Sequence, residues 1–265
     1  SARWRVSGGQ APNVVPDRCV LEAELTGETR ERVLRAAEAH PDLSAEVPDS
    51  LVRLTMRGKV GHGAYPPSGV NAIARMLEFM AAELPETLAS SPLLSFVRER
   101  IGFEAFGESL GIAAEDPKHG KLTVNFAMLE ASGGSDDASA ASGAPANAVL
   151  NVRVPVTSDG AAMLEKLRAA CAAHGIAVEV EEHLPPLFVP EDHPLIVKLG
   201  KAYEAVMNEP VRLLSIGGGT YARKLGNRGV AFGAGFPGRE HGPGAHQPDE
   251  TASIADLILH GQICT

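Results

Sequence analysis

CVLEAELTGETRERVLRAAEAHPDLSAEVPDSLVRLTMR, residues 19–57, reads as strand, helix and strand in one short run. In Cys19–Leu25 the residues Leu21, Ala23 and Leu25 alternate with Val20, Glu22 and Glu24, the period of two that covers one face of a strand. Thr26-Gly27-Glu28 opens a helix that runs to about Ala39, with Val33, Leu34, Ala36 and Ala37 at helical spacing. His40-Pro41 ends it, because the proline ring disfavours a helical predecessor. Leu51–Arg57 then alternates again as a second strand.

Outward from this unit the pattern repeats. Val70–Leu84 predicts a helix with Ile73, Leu77 and Met80 on one face and Pro85 closing it, and Pro92–Ile101 predicts another. Leu122–Leu129 and Ala148–Pro155 read as a pair of strands joined by the small, polar stretch ASGGSDDASAASGAPAN, a loop. Ser158–His174 is a helix with Gly175 as its C-cap, and Ile176–Glu182 a strand. Strand, helix and strand thus recur near 148–182, consistent with helices on one mostly antiparallel sheet. Pro185-Pro186 marks a boundary. Beyond it come a helix from Pro194 to Met207, the Gly-rich turn SIGGGTYAR with a helix at Tyr221–Leu225, a strand near Gly229–Phe232 and a last helix from Ile254. The fold expected is α/β in two parts, residues 1–184 and residues 185–265.

Composition narrows the function. The chain has 265 residues, 44% hydrophobic and 22% charged, with a formal net charge of −9. An acidic surface repels phosphate backbones, which argues against a nucleic-acid partner. The three cysteines, Cys19, Cys171 and Cys264, are far apart and odd in number, which fits a reducing, cytoplasmic setting rather than a disulfide framework. No apolar run reaches the roughly 20 residues of a membrane span. The N-terminal SARWRVSGG has no apolar core of a signal peptide and opens as if in mid-strand.

Five residues or runs carry candidate chemistry. His62 sits between Gly61 and Gly63 before a Tyr-Pro-Pro turn. Glycines on both sides let the backbone approach another surface, and an imidazole held there can donate to a developing oxyanion. His246, in GPGAHQPDE, ends a Gly/Pro loop, and a neutral imidazole on a rigid loop suits Zn²⁺ or Mn²⁺. Gly217-Gly218-Gly219-Thr220 precedes a helix start, where backbone N–H groups can receive an anion. Arg153, in LNVRVP, places a guanidinium in a half-buried strand, where it needs a carboxylate, either structural or from a substrate. Asn13 lies in the turn PNVVPD, a common place for an asparagine that bonds its own backbone. Taken singly, each of these also has a purely structural reading.

Together the motifs are more specific. GKVGHGAYPPSGVNAI resembles the lid-histidine motif of the two-metal exopeptidases and deacylases, the family of bacterial dipeptidases, carnosinases, carboxypeptidase G and acetylornithine deacetylase. SIGGGTYAR followed by FPG and AHQPDE resembles the dipeptidase V branch. The resemblance covers essentially the whole chain. It implies an α+β lid of two related sandwich units at 1–184 and the C-terminal part of an α/β metallopeptidase catalytic domain at 185–265. It implies hydrolysis of dipeptides by a metal-bridged water, with two divalent ions, zinc or sometimes manganese. His246 matches a metal ligand and His62 the histidine that stabilises the tetrahedral intermediate. Arg153 matches the arginine that holds the dipeptide's C-terminal carboxylate, and Asn13 an asparagine that helps place the substrate. Gly218, Gly219 and Thr220 match the loop at the substrate's C-terminal end. The family's His-x-Asp and Glu-Glu motifs have no counterpart here. The chain is therefore expected to begin inside the lid, to hold no native metal by itself and to be inactive without an N-terminal catalytic segment. The intact protein is expected to be a monomer, with no nucleic-acid or membrane partner. Two alternatives stay open: an N-acyl-amino-acid deacylase of the same family, and a non-catalytic lid or interaction fragment.

Overall fold

The computed structural model describes residues 3–134, 146–217, 219–233, 235–236, 238–239, 242 and 249–265. It divides into two compact units, Ser1–Glu181 and Glu182–Thr265. In chain order the first unit holds β1 (Trp4–Gly8), β2 (Val14–Val15), β3 (Arg18–Glu24), α1 (Gly27–Ala39), β4 (Leu43–Glu46), β5 (Leu51–Arg57) and β6 (Gly61–His62). It continues with α2 (Ala72–Glu83), α3 (Pro85–Ala89), α4 (Pro92–Arg100), β7 (Glu115–Asp116), β8 (Gly120–Lys121), β9 (Thr123–Gly133), β10 (Ala146–Arg153) and α5 (Gly160–Ala172).

Six of these strands form one antiparallel sheet in the order β10-β9-β1-β3-β5-β4. Val6 faces Leu21 and Leu21 faces Leu54 across the ladders, and all three are fully buried with Met76, Leu77 and Met80 of α2. The intervening residues Arg5, Glu22 and Arg53 take the opposite, polar face, where Arg53 bonds Glu22 at 2.7 Å. Helices therefore cover one side of the sheet, as the alternation in 19–57 requires.

Caps set the helix boundaries. Asn71 accepts N–H bonds from Ile73 (2.9 Å) and Ala74 (3.1 Å) at the start of α2, while its Nδ2 donates to the Phe126 carbonyl at 2.7 Å, tying helix to sheet. Pro85 does more than close α2: it is the first residue of α3, where its missing N–H is no loss. Asp159 caps α5 by accepting from the Ala162 N–H.

One irregularity shapes the rest. Val149 pairs with Met128 but Leu150 pairs with Phe126, so Ala127 is an extra residue in β9. This bulge reverses the facing of the strand's first half. Val124 and Phe126 join Leu129 and Ala131 in the core, and Thr123 and Asn125 turn to the other face. The carbonyl of Ala127 is pressed against the backbone after β1. Gly9 has φ +84° there, and a Cβ on it would lie 2.0 Å from the Ala127 oxygen, which only glycine tolerates.

Three sequence expectations fail. Ile176–Glu182 forms no strand. The Ile176 N–H instead bonds the Cys171 carbonyl at 3.1 Å, so the chain stays wound on the end of α5 while Ile176 and Val178 pack on the core. The second strand–helix–strand unit is accordingly incomplete and shares the single sheet. Gly229–Phe232 is likewise not a strand, having no ladder partner among the described residues. Tyr221–Leu225 lies in a 3₁₀ segment, Tyr221–Arg228, broken where Gly226 takes φ +57°. In the second unit α6 (Pro194–Met207) and α7 (Ile254–Cys264) pack together. No helix among the described residues is long and apolar enough to cross a membrane.

Candidate functional site

The chain leaves β1, turns through Pro12 and Asn13, and pairs β2 with β6 in a two-stranded antiparallel ladder, Val14 opposite His62 and Val15 opposite Gly61. Asn13 and His62, separated by 48 residues of an alternating fold, thus meet on one small element. The Gly63 N–H donates to the Asn13 carbonyl at 2.7 Å and closes the ladder. A Cβ on Gly63 would stand 2.7 Å from that carbonyl, so the approach needs glycine. Both Asn13 and His62 are exposed.

The His62 ring is oriented by its own loop. Its backbone N–H donates to Ser68 Oγ at 3.2 Å, and the Ala64 N–H donates to His62 Nδ1 at 3.0 Å. A backbone N–H cannot give up its proton, so Nδ1 accepts and the neutral ring carries its hydrogen on Nε2. The loop thereby selects the tautomer in which Nε2 is a donor.

Arg153 ends β10 opposite Thr123, half-buried as expected from its strand. Its Nε donates to Asn151 Oδ1 at 3.0 Å, and Asn151 stands opposite Asn125. Asn125 is fully buried, and its Nδ2 donates to the carbonyls of Pro12 and Val14, both at 2.9 Å. Asn125 thus ties the segment Pro12–Val14, which carries Asn13 and faces His62, to β9, while Asn151 and Arg153 stand on the neighbouring strand β10. Asn125 was not among the residues singled out from sequence. Its signal was there: one amide in the apolar run LTVNFAML, which burial obliges to find partners.

In the second unit Thr220 Oγ1 accepts from the Ala222 N–H at 3.2 Å, a cap on the 3₁₀ segment. A Cβ on Gly219 would make only ordinary contact, 3.7 Å, with Arg223, so packing does not demand glycine there. Gly218 and His246 lie outside the described residues.

Residues 51–179 match the peptidase dimerisation domain of the M20 family. The chain is 32% identical over 255 residues to the protein named "Putative dipeptidase YtjP" of Bacillus subtilis (strain 168), covering 93% of this chain and 50% of that protein. A second protein so named, from Staphylococcus aureus (strain USA300), is 28% identical over 236 residues, 88% of this chain and 48% of the relative. The dimerisation-domain match and the two relatives together support membership of the M20 peptidase family. The chain spans about half the length of the curated relatives it matches.

The matched M20 span contains His62, Asn125 and Arg153, whereas Asn13 precedes it. Among the described residues, no group of three or more His, Cys, Asp or Glu side chains gathers where a metal ion could be held.

Proposed function

We propose that this chain is the lid and C-terminal portion of a metal-dependent dipeptidase as long as its relatives, cytoplasmic and monomeric when whole. Hydrolysis then belongs to the whole protein and not to this span alone. The observation that carries the proposal is the tautomer of His62. An exposed imidazole held with Nε2 as donor suits an oxyanion that develops on the scissile carbonyl. Arg153 would hold the dipeptide's C-terminal carboxylate with its two-pronged guanidinium. Asn13, beside His62, would place the substrate. Gly218, Gly219 and Thr220 would meet its C-terminal end, and His246 would be one ligand to zinc or manganese. The rest of the metal site is assigned to protein outside this span. The names of the relatives favour dipeptides.

The surface of the second unit also supports further protein packing there. Leu213, Leu214, Ile216, Ile254, Leu257 and Ile258 are all exposed, and large bare apolar area is uncommon on a finished surface. Leu195, Ile196, Leu199, Val206, Val230 and Phe232 of the same unit are half-buried.

The test uses the whole protein, a free dipeptide and the same dipeptide as its C-terminal amide. Arg153→Ala should lower kcat/KM for the free dipeptide by about 10–10²-fold, the value of a charge-assisted hydrogen bond. The amide lacks the partner and should lose little further. If the loss from amidation and the loss from Arg153→Ala simply multiply, Arg153 does not bind the carboxylate. Faster turnover of acetyl-amino acids than of dipeptides would move the protein to the deacylases.

A further inference from the structure

We infer that Asn125 is a positioning residue for catalysis, acting through the ladder that carries His62 and Asn13. The inference rests on the dipeptidase reading above. Three observations support it. The side chain is wholly buried on the face of β9 away from the helix-covered core, and a buried amide costs free energy unless it is hydrogen-bonded. Its two bonds go to Pro12 and Val14, the residues on either side of Asn13, and to no element of the core. Its Oδ1 is buried and has no hydrogen-bond partner among the described residues. The side chain is thus committed to the two donor bonds at the expense of its acceptor. The assignment of Nδ2 is chemically forced, because an oxygen placed there would face two carbonyl oxygens.

The mechanical consequence follows from the register. Val14, whose carbonyl Asn125 grips, is the residue opposite His62. Asn13, between the two gripped carbonyls, accepts the Gly63 N–H next to His62. The height of the His62 ring above the sheet is therefore fixed by an amide in β9, 63 residues away in sequence. The bulge at Ala127 is what aims Asn125 at this ladder and not into the helix-covered core. Loss of the amide leaves the ladder attached at its ends and free to shift, and a displacement near 1 Å at a reacting group costs up to about 10² in rate.

The experiment is a double-mutant cycle on kcat in the whole protein, with Asn125→Ala, His62→Ala and the double variant. Asn125→Ala should lower kcat by about 10–10²-fold with little change in KM. In the His62→Ala background it should have almost no further effect, since the group it positions is gone. Asn125→Gln, which keeps the donor amide, should recover part of the loss. Hydrogen exchange of the Gly63 amide should quicken by about tenfold or more in Asn125→Ala, while amides of α2 stay protected. Full multiplication of the two losses, or unchanged exchange at Gly63, overturns the inference and leaves the dipeptidase reading intact. If His62→Ala itself leaves kcat unchanged, the dipeptidase reading of His62 fails first. If both Asn125 variants fail to fold, Asn125 is a general core residue and the positioning role is refuted.

Discussion

Replacing Gly63 with alanine should uncouple the ladder that joins Asn13 to His62, and the size of the effect can be worked from the contact distances. The added Cβ would lie 2.7 Å from both the carbonyl carbon and the oxygen of Asn13, and 3.0 Å from its Cα. Real Cβ contacts essentially never fall under 3.0 Å and are ordinary from 3.4 Å. The two backbones must therefore part until 2.7 Å becomes 3.0–3.4 Å, and neither partner is a side chain that can swing away. The Gly63–Asn13 hydrogen bond, now 2.7 Å, lengthens by the same step. Overpacking of this kind costs about 1–3 kcal/mol. For a protein of this size that corresponds to a fall in Tm of roughly 3–10 °C. In the whole protein the displaced imidazole should lower kcat by about tenfold or more, with a smaller change in KM. Gly160→Ala is the matched control, since nothing lies within 4 Å of a Cβ built there and Gly160 is the first residue of α5. That variant should melt at or slightly above the parent temperature. Thermal unfolding of both variants and steady-state kinetics on a dipeptide decide the matter. A Gly63→Ala protein indistinguishable from Gly160→Ala in both would refute the argument from close approach.

Two further outcomes follow from the charge and thiol environments. Thr157 donates a hydrogen bond to Asp116, and this, helped by the Lys118 and His119 N–H groups, holds the Asp116 carboxyl below its ordinary range. A lowered carboxylate contributes stability that is present above its unfolded value of about 4 and is lost as pH falls through the folded value. Thr157→Val should therefore cost most stability at neutral pH, with the gap to the parent closing in acid, as read by Tm against pH. A gap that is constant, or that widens in acid, would contradict the assignment. Burial pushes the Cys19 thiol far up, whereas Cys264 is exposed with its Sγ 3.7 Å from His260 Nε2. A thiol reagent should modify Cys264 in the native protein and Cys19 only on unfolding, and equal rates at the two would count against the buried placement of Cys19.

The first half of the sheet is legible in the residue pattern alone. Leu21, Ala23 and Leu25 alternate against Glu22 and Glu24, and Val33 and Ala37 fall one helical turn apart, so β3, α1 and β5 could be placed with no tertiary information. The same held for α6, whose Pro194 start is capped by His193. The motif order was also legible, since glycines around His62 announce a close approach without naming the partner. What the sequence left open was decided by contacts between distant residues. Ile176–Glu182 has the composition of a strand, but a strand exists only where a neighbour supplies the other half of its hydrogen bonds, and none does so among the described residues. The role of Asn125 was not legible, because its face depends on a single extra residue, Ala127, that no period-two pattern reveals. Periodicity reports which side chains share a face within one element. Which face is turned to which partner is set by bulge, register and backbone approach, and those brought Asn13 beside His62 and placed Asn125 beneath the ladder that carries them.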